Sequence, residues 1–111
     1  MMIKIIIIVT MSTLRYHIIP CPSNGVFTIY TKSDCVYCTK VKKLLENEKT
    51  VLVECDFYLA ENREQFLSTM DQLAKREHRT FPFVFKDETF LGGYDDTVVY
   101  MNSMISFTDE F

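Results

Sequence analysis

Cys35 and Cys38 stand three residues apart in the stretch Y-T-K-S-D-C-V-Y-C-T-K, between a β-type run and an amphipathic helical pattern. Two cysteines so placed can be half of a zinc site, a redox dithiol, or two small core residues. A cysteine at the first turn of a helix has its sulfur near backbone N–H groups without intrahelical partners and near the positive end of the dipole, which favours the thiolate. Cys35 is expected there. Cys38, one turn along the same face, lies at a separation compatible with a disulfide and deeper in the helix, as a resolving thiol would. Zinc needs four ligands, and Cys21, Cys55, His17 and His78 have no ligand-like spacing to complete a set, so no metal ligand is assigned. The core reading leaves the placement between strand and helix a coincidence. Redox chemistry leads.

Such a pair needs a strand before it and a helix after it. The run V-F-T-I-Y-T, Val26 to Thr31, follows the turn-forming P-C-P-S-N-G and is apolar on both faces, which predicts a central, doubly buried strand. From Cys35 onward Cys38, Val41 and Leu45, with Leu44 beside them, recur at helical spacing while Lys40, Lys42, Lys43 and Glu46 stay outside. Thr50 to Phe57 reads as a second strand, and Glu61 to Lys75, with Phe66, Leu67, Met70 and Leu73 on one side, as a second helix. Strand, helix, strand, helix implies a parallel βαβ unit. The stretch F-P-F-V-F-K-D-E-T-F-L-G-G predicts an antiparallel hairpin turning at Lys86-Asp87-Glu88. A final helix follows from G-Y-D-D-T-V-V-Y-M-N-S-M-I-S-F, with an acidic N-cap and Val98, Met101 and Ile105 inward.

A chain of 111 residues supports one domain, and a composition 48 % hydrophobic and 24 % charged is that of a soluble globule. The 12 basic residues are interleaved with 15 acidic ones for a net charge of −3, so no nucleic-acid partner is expected. Four irregularly spaced cysteines argue for a reducing, cytoplasmic setting over a secreted disulfide scaffold. Lys4 followed by Ile5 to Val9 superficially resembles a secretory leader, but no small-residue cleavage site follows, and Arg15 and His17 close the run. It is also short of the ~20 apolar residues of a membrane span, so no membrane partner is expected. Met11 is an alternative start.

The segments Y-T-K-S-D-C-V-Y-C-T-K, R-T-F-P-F-V-F and F-L-G-G-Y-D-D, in this order and spacing, resemble a dithiol glutaredoxin of the thioredoxin-like superfamily, over about Val26 to Phe107. The resemblance implies an α/β thioredoxin-like fold, a four-stranded mixed sheet flanked by helices. Residues 26–107 would form the domain, 1–25 an N-terminal extension with no structure assigned, and 108–111 a tail. It implies a monomeric glutathione-dependent thiol-disulfide oxidoreductase, with Cys35 as nucleophile, Cys38 as resolving thiol, glutathione as reductant and disulfide-containing client proteins as partners. Glutathione carries two carboxylates, an ammonium and a thiol, so its site needs a cation, a main-chain edge and an acid. Lys32 can supply the cation and further depress the thiolate pKa. Thr80-Phe81-Pro82 matches the family's Thr-x-Pro segment, with Pro82 as cis-proline and Phe81 pairing with the tripeptide's main chain. Gly92 and Gly93 allow close backbone approach, and Asp95 and Asp96 meet the γ-glutamyl ammonium or cap the helix, or do both. Tyr37 flanks the sulfur. Arg79 and Gln72 are candidates for the polar group that the family contributes from its second helix.

Two departures stand out. Val36 occupies a position often held by proline, and Phe81 one usually held by valine or a similar residue. In related members a non-proline residue at the first position accompanies a bridging [2Fe-2S] cluster, held by the first cysteine of two chains with glutathione. Glutathione-dependent cluster binding is therefore a second reading. A thioredoxin-type reductase is a third, disfavoured by the lack of any Trp and by G-G-Y-D-D. Cys55 is expected near the core on a strand, Cys21 as a loop thiol, and His17 and His78 as exposed polar residues.

Overall fold

The structure, a computed structural model, describes residues 18–109, with side chains as far as residue 105. Lys4, the Ile5 to Val9 run, Met11, Arg15, His17 and residues 110–111 of the tail lie outside the described residues. The order is β1 (Phe27–Thr31), α1 (Val36–Leu44), β2 (Thr50–Glu54), α2 (Asp56–Ala74), β3 (Phe83–Lys86), β4 (Thr89–Gly92) and α3 (Tyr94–Asp109). The strands form one mixed sheet ordered β2-β1-β3-β4, with β1 parallel to β2 and antiparallel to β3. This is the thioredoxin-like arrangement.

β1 is the hub. All five of its residues are buried, because strands flank it on both edges and helices cover it on both faces. Period-two alternation divides its side chains between the two faces. Tyr30 joins Phe83, Phe85, Phe66 and Met70 under α2, whereas Phe27 and Ile29 join Val41, Leu45 and Val84 under α1 and α3. β2 is an edge strand with only Val53 buried, and Val51 and Leu52 stay exposed. Ile105, expected to face inward on α3, is likewise exposed.

The second strand ends, and the second helix begins, earlier than the apolar alternation predicts. Cys55 turns the chain, and Asp56 opens α2 where a carboxylate meets free N–H groups and a favourable dipole. α2 is two helical pieces joined at Asn62, whose φ of −159° and ψ of 90° are extended. The Asn62 side chain accepts from Gln65 N at 3.0 Å and so caps the second piece. The helix closes on Lys75 in the left-handed region, its N–H bonded to the Asp71 carbonyl. Among the described residues no helix is long and apolar enough to cross a membrane.

Phe66 is fully buried in the aromatic group beneath α2, within 6.4 Å of the rings of Tyr58, Phe81 and Phe83. Replacing it with Ala should cost about 3–5 kcal/mol of stability through lost burial and a residual cavity, measurable by denaturant unfolding.

Candidate active site

β1 ends at Thr31, and Lys32 to Asp34 form the loop that carries Cys35 to the start of α1. Asp34 adopts a left-handed conformation, which Asp tolerates better than most residues. The loop is anchored from outside: Asp56 Oδ1 accepts from Ser33 N at 3.0 Å and from Ser33 Oγ at 3.2 Å. The first residues of α2 thus fix the approach to Cys35.

Cys35 is the N-cap of α1. Its Sγ accepts from Cys38 N at 3.2 Å, where a hydroxyl or carboxylate cap would ordinarily stand, and its carbonyl accepts the first helical bond from Thr39 N. The two cysteines are joined as a disulfide with Cα atoms 5.2 Å apart. Their surroundings differ. Cys35 is half-buried at the rim, while Cys38 is 1 % exposed beneath it, so only Cys35 can be met from solvent.

A groove of about 400 Å3 opens beside Cys35, walled by Lys32, Tyr37, Arg63, Arg79, Thr80 and Phe81 among others. The Phe81–Pro82 peptide is cis. The Phe81 ring lies parallel to Phe66 at 5.8 Å and edge-on to Phe83 at 5.1 Å. A large residue is therefore accommodated here by an enlarged aromatic core. Tyr37 is 52 % exposed and packs at 5.8 Å from Tyr94, with Lys40 Nζ over both rings at 5.0 and 5.8 Å.

Asp95 and Asp96 stand outside the groove wall, on the first turn of α3. Asp96 is not the N-cap itself. Its Oδ2 reaches back to accept from Gly93 N at 3.1 Å, and Thr97 N and Oγ1 donate to the Gly93 carbonyl. A side chain at Gly92 would run into the Asp96 carboxylate, and the φ of 127° there also suits only glycine.

The two candidates for a polar contribution from the second helix separate. Gln72 lines a different cavity, with Ile18, Cys21 and Tyr58, whereas Arg79 lines the groove from the loop after α2. Arg79 is committed: its Nη1 and Nη2 donate to Asp71 at 2.7 and 3.1 Å, and Nη2 also to Glu77 at 3.1 Å. That guanidinium holds the Asp71 carboxyl below the usual carboxylate range. The cation that α2 brings to the groove is Arg63, which the sequence reading overlooked. The signal was available, because Asn62-x-x-Gln65 is a helix-start pattern inside the predicted helix and Arg63 is the first residue after that start.

Cys55 is fully buried, its Sγ donating to the Val53 carbonyl at 3.4 Å, and burial pushes its thiol up to about 12. It is a silent core thiol. Cys21 is exposed and unpaired. Among the described residues no three His, Cys, Asp or Glu side chains converge as metal ligands.

A thioredoxin-like sheet with a Cys-x-x-Cys at the head of its first helix defines a thiol-disulfide class. The glutaredoxin family model matches residues 27–91, and the chain belongs to the glutaredoxin family. It is 35 % identical over 77 residues to the bovine "Glutaredoxin-2, mitochondrial" and 36 % identical over 77 residues to the human protein of that name, in each case over 68 % of this chain. It spans less than half of those relatives, 46 % and 44 % respectively. Among solved structures, glutaredoxin 1 of Francisella tularensis in complex with cacodylate superposes with a TM-score of 0.62 at 25 % identity, over 72 % of this chain and 95 % of that one. A buckwheat glutaredoxin-glutathione complex shares the fold with a TM-score of 0.57 at 24 % identity, over 69 % of this chain and 68 % of that one.

With Cys35 Sγ capping α1 beside Lys32, its thiol in the reduced protein should ionise well below the free value of about 8.5. Thiolate absorbance at 240 nm, titrated in a Cys38→Ser variant, checks this; an ordinary pKa would mean that the cap gives the sulfur no charge stabilisation.

Proposed function

We propose that the protein catalyses glutathione-dependent reduction of protein disulfides and of glutathione mixed disulfides. The observation that carries this reading is the asymmetry of the pair, with Cys35 at the groove and helix start and Cys38 bonded to it from below. The Cys35 thiolate attacks one sulfur of the incoming disulfide. A new S–S bond forms to Cys35 as the substrate's own breaks, and the departing thiolate takes a proton from solvent. With a protein disulfide, deprotonated Cys38 then attacks Cys35 Sγ, forming the internal disulfide and releasing the second client thiol. One glutathione thiolate opens that bond at Cys35 and a second removes the first as glutathione disulfide. Two glutathione thiols are oxidised for each protein disulfide reduced, and one for each glutathione mixed disulfide.

The groove supports this substrate. Lys32 and Arg63 offer cations to the glycyl carboxylate, Phe81 and Thr80 offer main chain to the tripeptide, and Tyr37 covers its sulfur. Asp96 is already bonded to Gly93 N, so Asp95 is the freer acid for the γ-glutamyl ammonium. Everything named lies on one chain, consistent with a working monomer acting on client proteins. Two unpaired thiols, Cys21 and Cys55, suit a reducing compartment, and we take this to be the cytoplasm. The names of the bovine and human relatives make the mitochondrion the competing site, which cell fractionation decides.

Val36, 67 % exposed beside Cys35, supports a second reading, a [2Fe-2S] cluster bridging two chains. At the groove one chain offers a single accessible thiolate, that of Cys35, so four-sulfur coordination there closes with the partner copy's equivalent cysteine and two glutathione thiols. Such a centre would supply cluster storage or transfer. Anaerobic reconstitution with iron, sulfide and glutathione should give a coloured dimer that needs Cys35 and is weakened by Val36→Pro. A colourless monomer removes this reading.

For the exchange reading, Cys35→Ser should reduce all turnover to the uncatalysed background. Cys38→Ser should retain reduction of glutathione mixed disulfides and lose most reduction of protein disulfides. An assay coupled to glutathione reductase checks both, and the reverse pattern would make Cys38 the nucleophile.

A further inference from the structure

His78, expected to be an exposed polar residue, is half-buried at the meeting point of three segments. Its ring stands edge-on to Phe83 at 4.9 Å and to Phe90 at 5.2 Å, so β3 and β4 form its floor. Nε2 lies 3.4 Å from Thr80 Oγ1, and the ring also meets main-chain acceptors of Pro82 and Thr80. Gly93 lies against the same ring: a β-carbon built there would stand 3.6 Å from His78 Cε1, 3.7 Å from Nε2 and 3.7 Å from the Pro82 carbonyl oxygen. The imidazole therefore packs against both the Thr80–Pro82 segment and the turn that opens α3 where the two meet. Those segments carry the main-chain edge assigned above to the tripeptide's main chain and the acids assigned to its γ-glutamyl ammonium.

We propose that His78 is a positioning residue whose neutral imidazole straps the Thr80–Pro82 segment to the Gly93 turn and thereby sets the affinity for glutathione. This rests on the glutathione reading of the groove. The charged groups about the ring are Arg76, which lies over Phe90 at 4.7 Å, and Asp96 on α3. From β3 and β4 the rings of Phe83 and Phe90 face it. Burial holds His78 below the usual imidazole range, with Arg76 acting in the same direction and Pro82, Thr80 and Asp96 opposing. The sign follows: the neutral strap is complete above the unfolded imidazole value of about 6.5 and is lost as pH falls from there through the lower folded value.

The test compares wild type with His78→Ala and His78→Gln, since Gln retains a polar amide of similar reach but does not titrate. At pH 7.5 His78→Ala should raise the KM for glutathione about fivefold with kcat within about twofold, the size expected for a lost hydrogen bond. His78→Gln should restore most of the loss. Between pH 7.5 and 5 the ratio of wild-type to His78→Gln KM should rise, a ratio in which the titration of Cys35 cancels. Independently of turnover, the backbone amide NMR signals of Phe81 and Gly93 should follow the His78 ring signals on one titration curve in wild type and stay still in His78→Gln. An unchanged KM in His78→Ala, or amides that ignore the ring, overturns the strap. If wild type shows no turnover, the exchange reading falls and the amide titration alone decides the strap. If His78→Ala does not fold, His78→Gln and the amides decide it.

Discussion

The site depends on one constraint, the burial of β1 on both edges and both faces. A strand so placed cannot shift without exposing Phe27, Ile29 or Tyr30, and a slip of one residue would exchange its two faces. Its end at Thr31 is therefore fixed, and every other segment of the site is registered to it. Parallel β2 sets Glu54 beside Thr31, so α2 begins next to the Lys32–Asp34 loop and Asp56 can hold Ser33. Antiparallel β3 sets Phe83 opposite Tyr30, so the cis-proline and Thr80–Phe81 arrive at the same end of the sheet. β4 returns antiparallel to β3, with Gly92 opposite Val84, and delivers Gly93 and the start of α3 there too. Four connections converge because β1, β2 and β4 end, and β3 begins, at the same end of the sheet.

That convergence explains why much of the site was legible before any coordinates. The Cys-x-x-Cys, the Thr-Phe-Pro and the Gly-Gly-Tyr-Asp-Asp each sit at an element boundary, and boundaries announce themselves through glycine, proline and capping residues. The doubly buried character of β1 was visible because both of its faces are apolar. The edge position of β2 was not: Thr50 to Val53 is as β-branched as a central strand, and only the sheet order leaves Val51 and Leu52 outside.

The residues that sequence reading missed share a cause. Arg63 belongs to a charged run that looks like a solvated helix face, and it reaches the groove because Asn62 breaks and recaps the helix one residue earlier. His78 lies in a loop with no periodicity, and besides its neighbours Thr80 and Pro82 it meets Phe83, Phe90 and Gly93, between five and fifteen positions away. No local pattern encodes such a meeting. Phe81 is intermediate: its place before the cis-proline was readable, but its enlarged ring made sense only once Phe66 was found stacked on it and Phe83 edge-on to it.

Charge in the groove follows the same logic of commitment. With a net charge of −3 the chain as a whole would repel the tripeptide of the proposed function, which bears two carboxylates and one ammonium, so its attraction would have to be local. Three cations line the groove, Lys32, Arg63 and Arg79, yet Arg79 spends its guanidinium on Asp71 and Glu77. Its contribution is to brace the loop that leads into Thr80 rather than to attract an anion. Among the described residues Lys32 donates to the neighbouring Ser33 carbonyl, at 3.3 Å, and to no carboxylate. Lys32 enters from the β1 end and Arg63 from α2, so the two cations reach one groove from different elements. A carboxylate between them would draw the glutathione thiol toward the capped sulfur, and its position would depend on the Asp56–Ser33 bonds that hold those elements together.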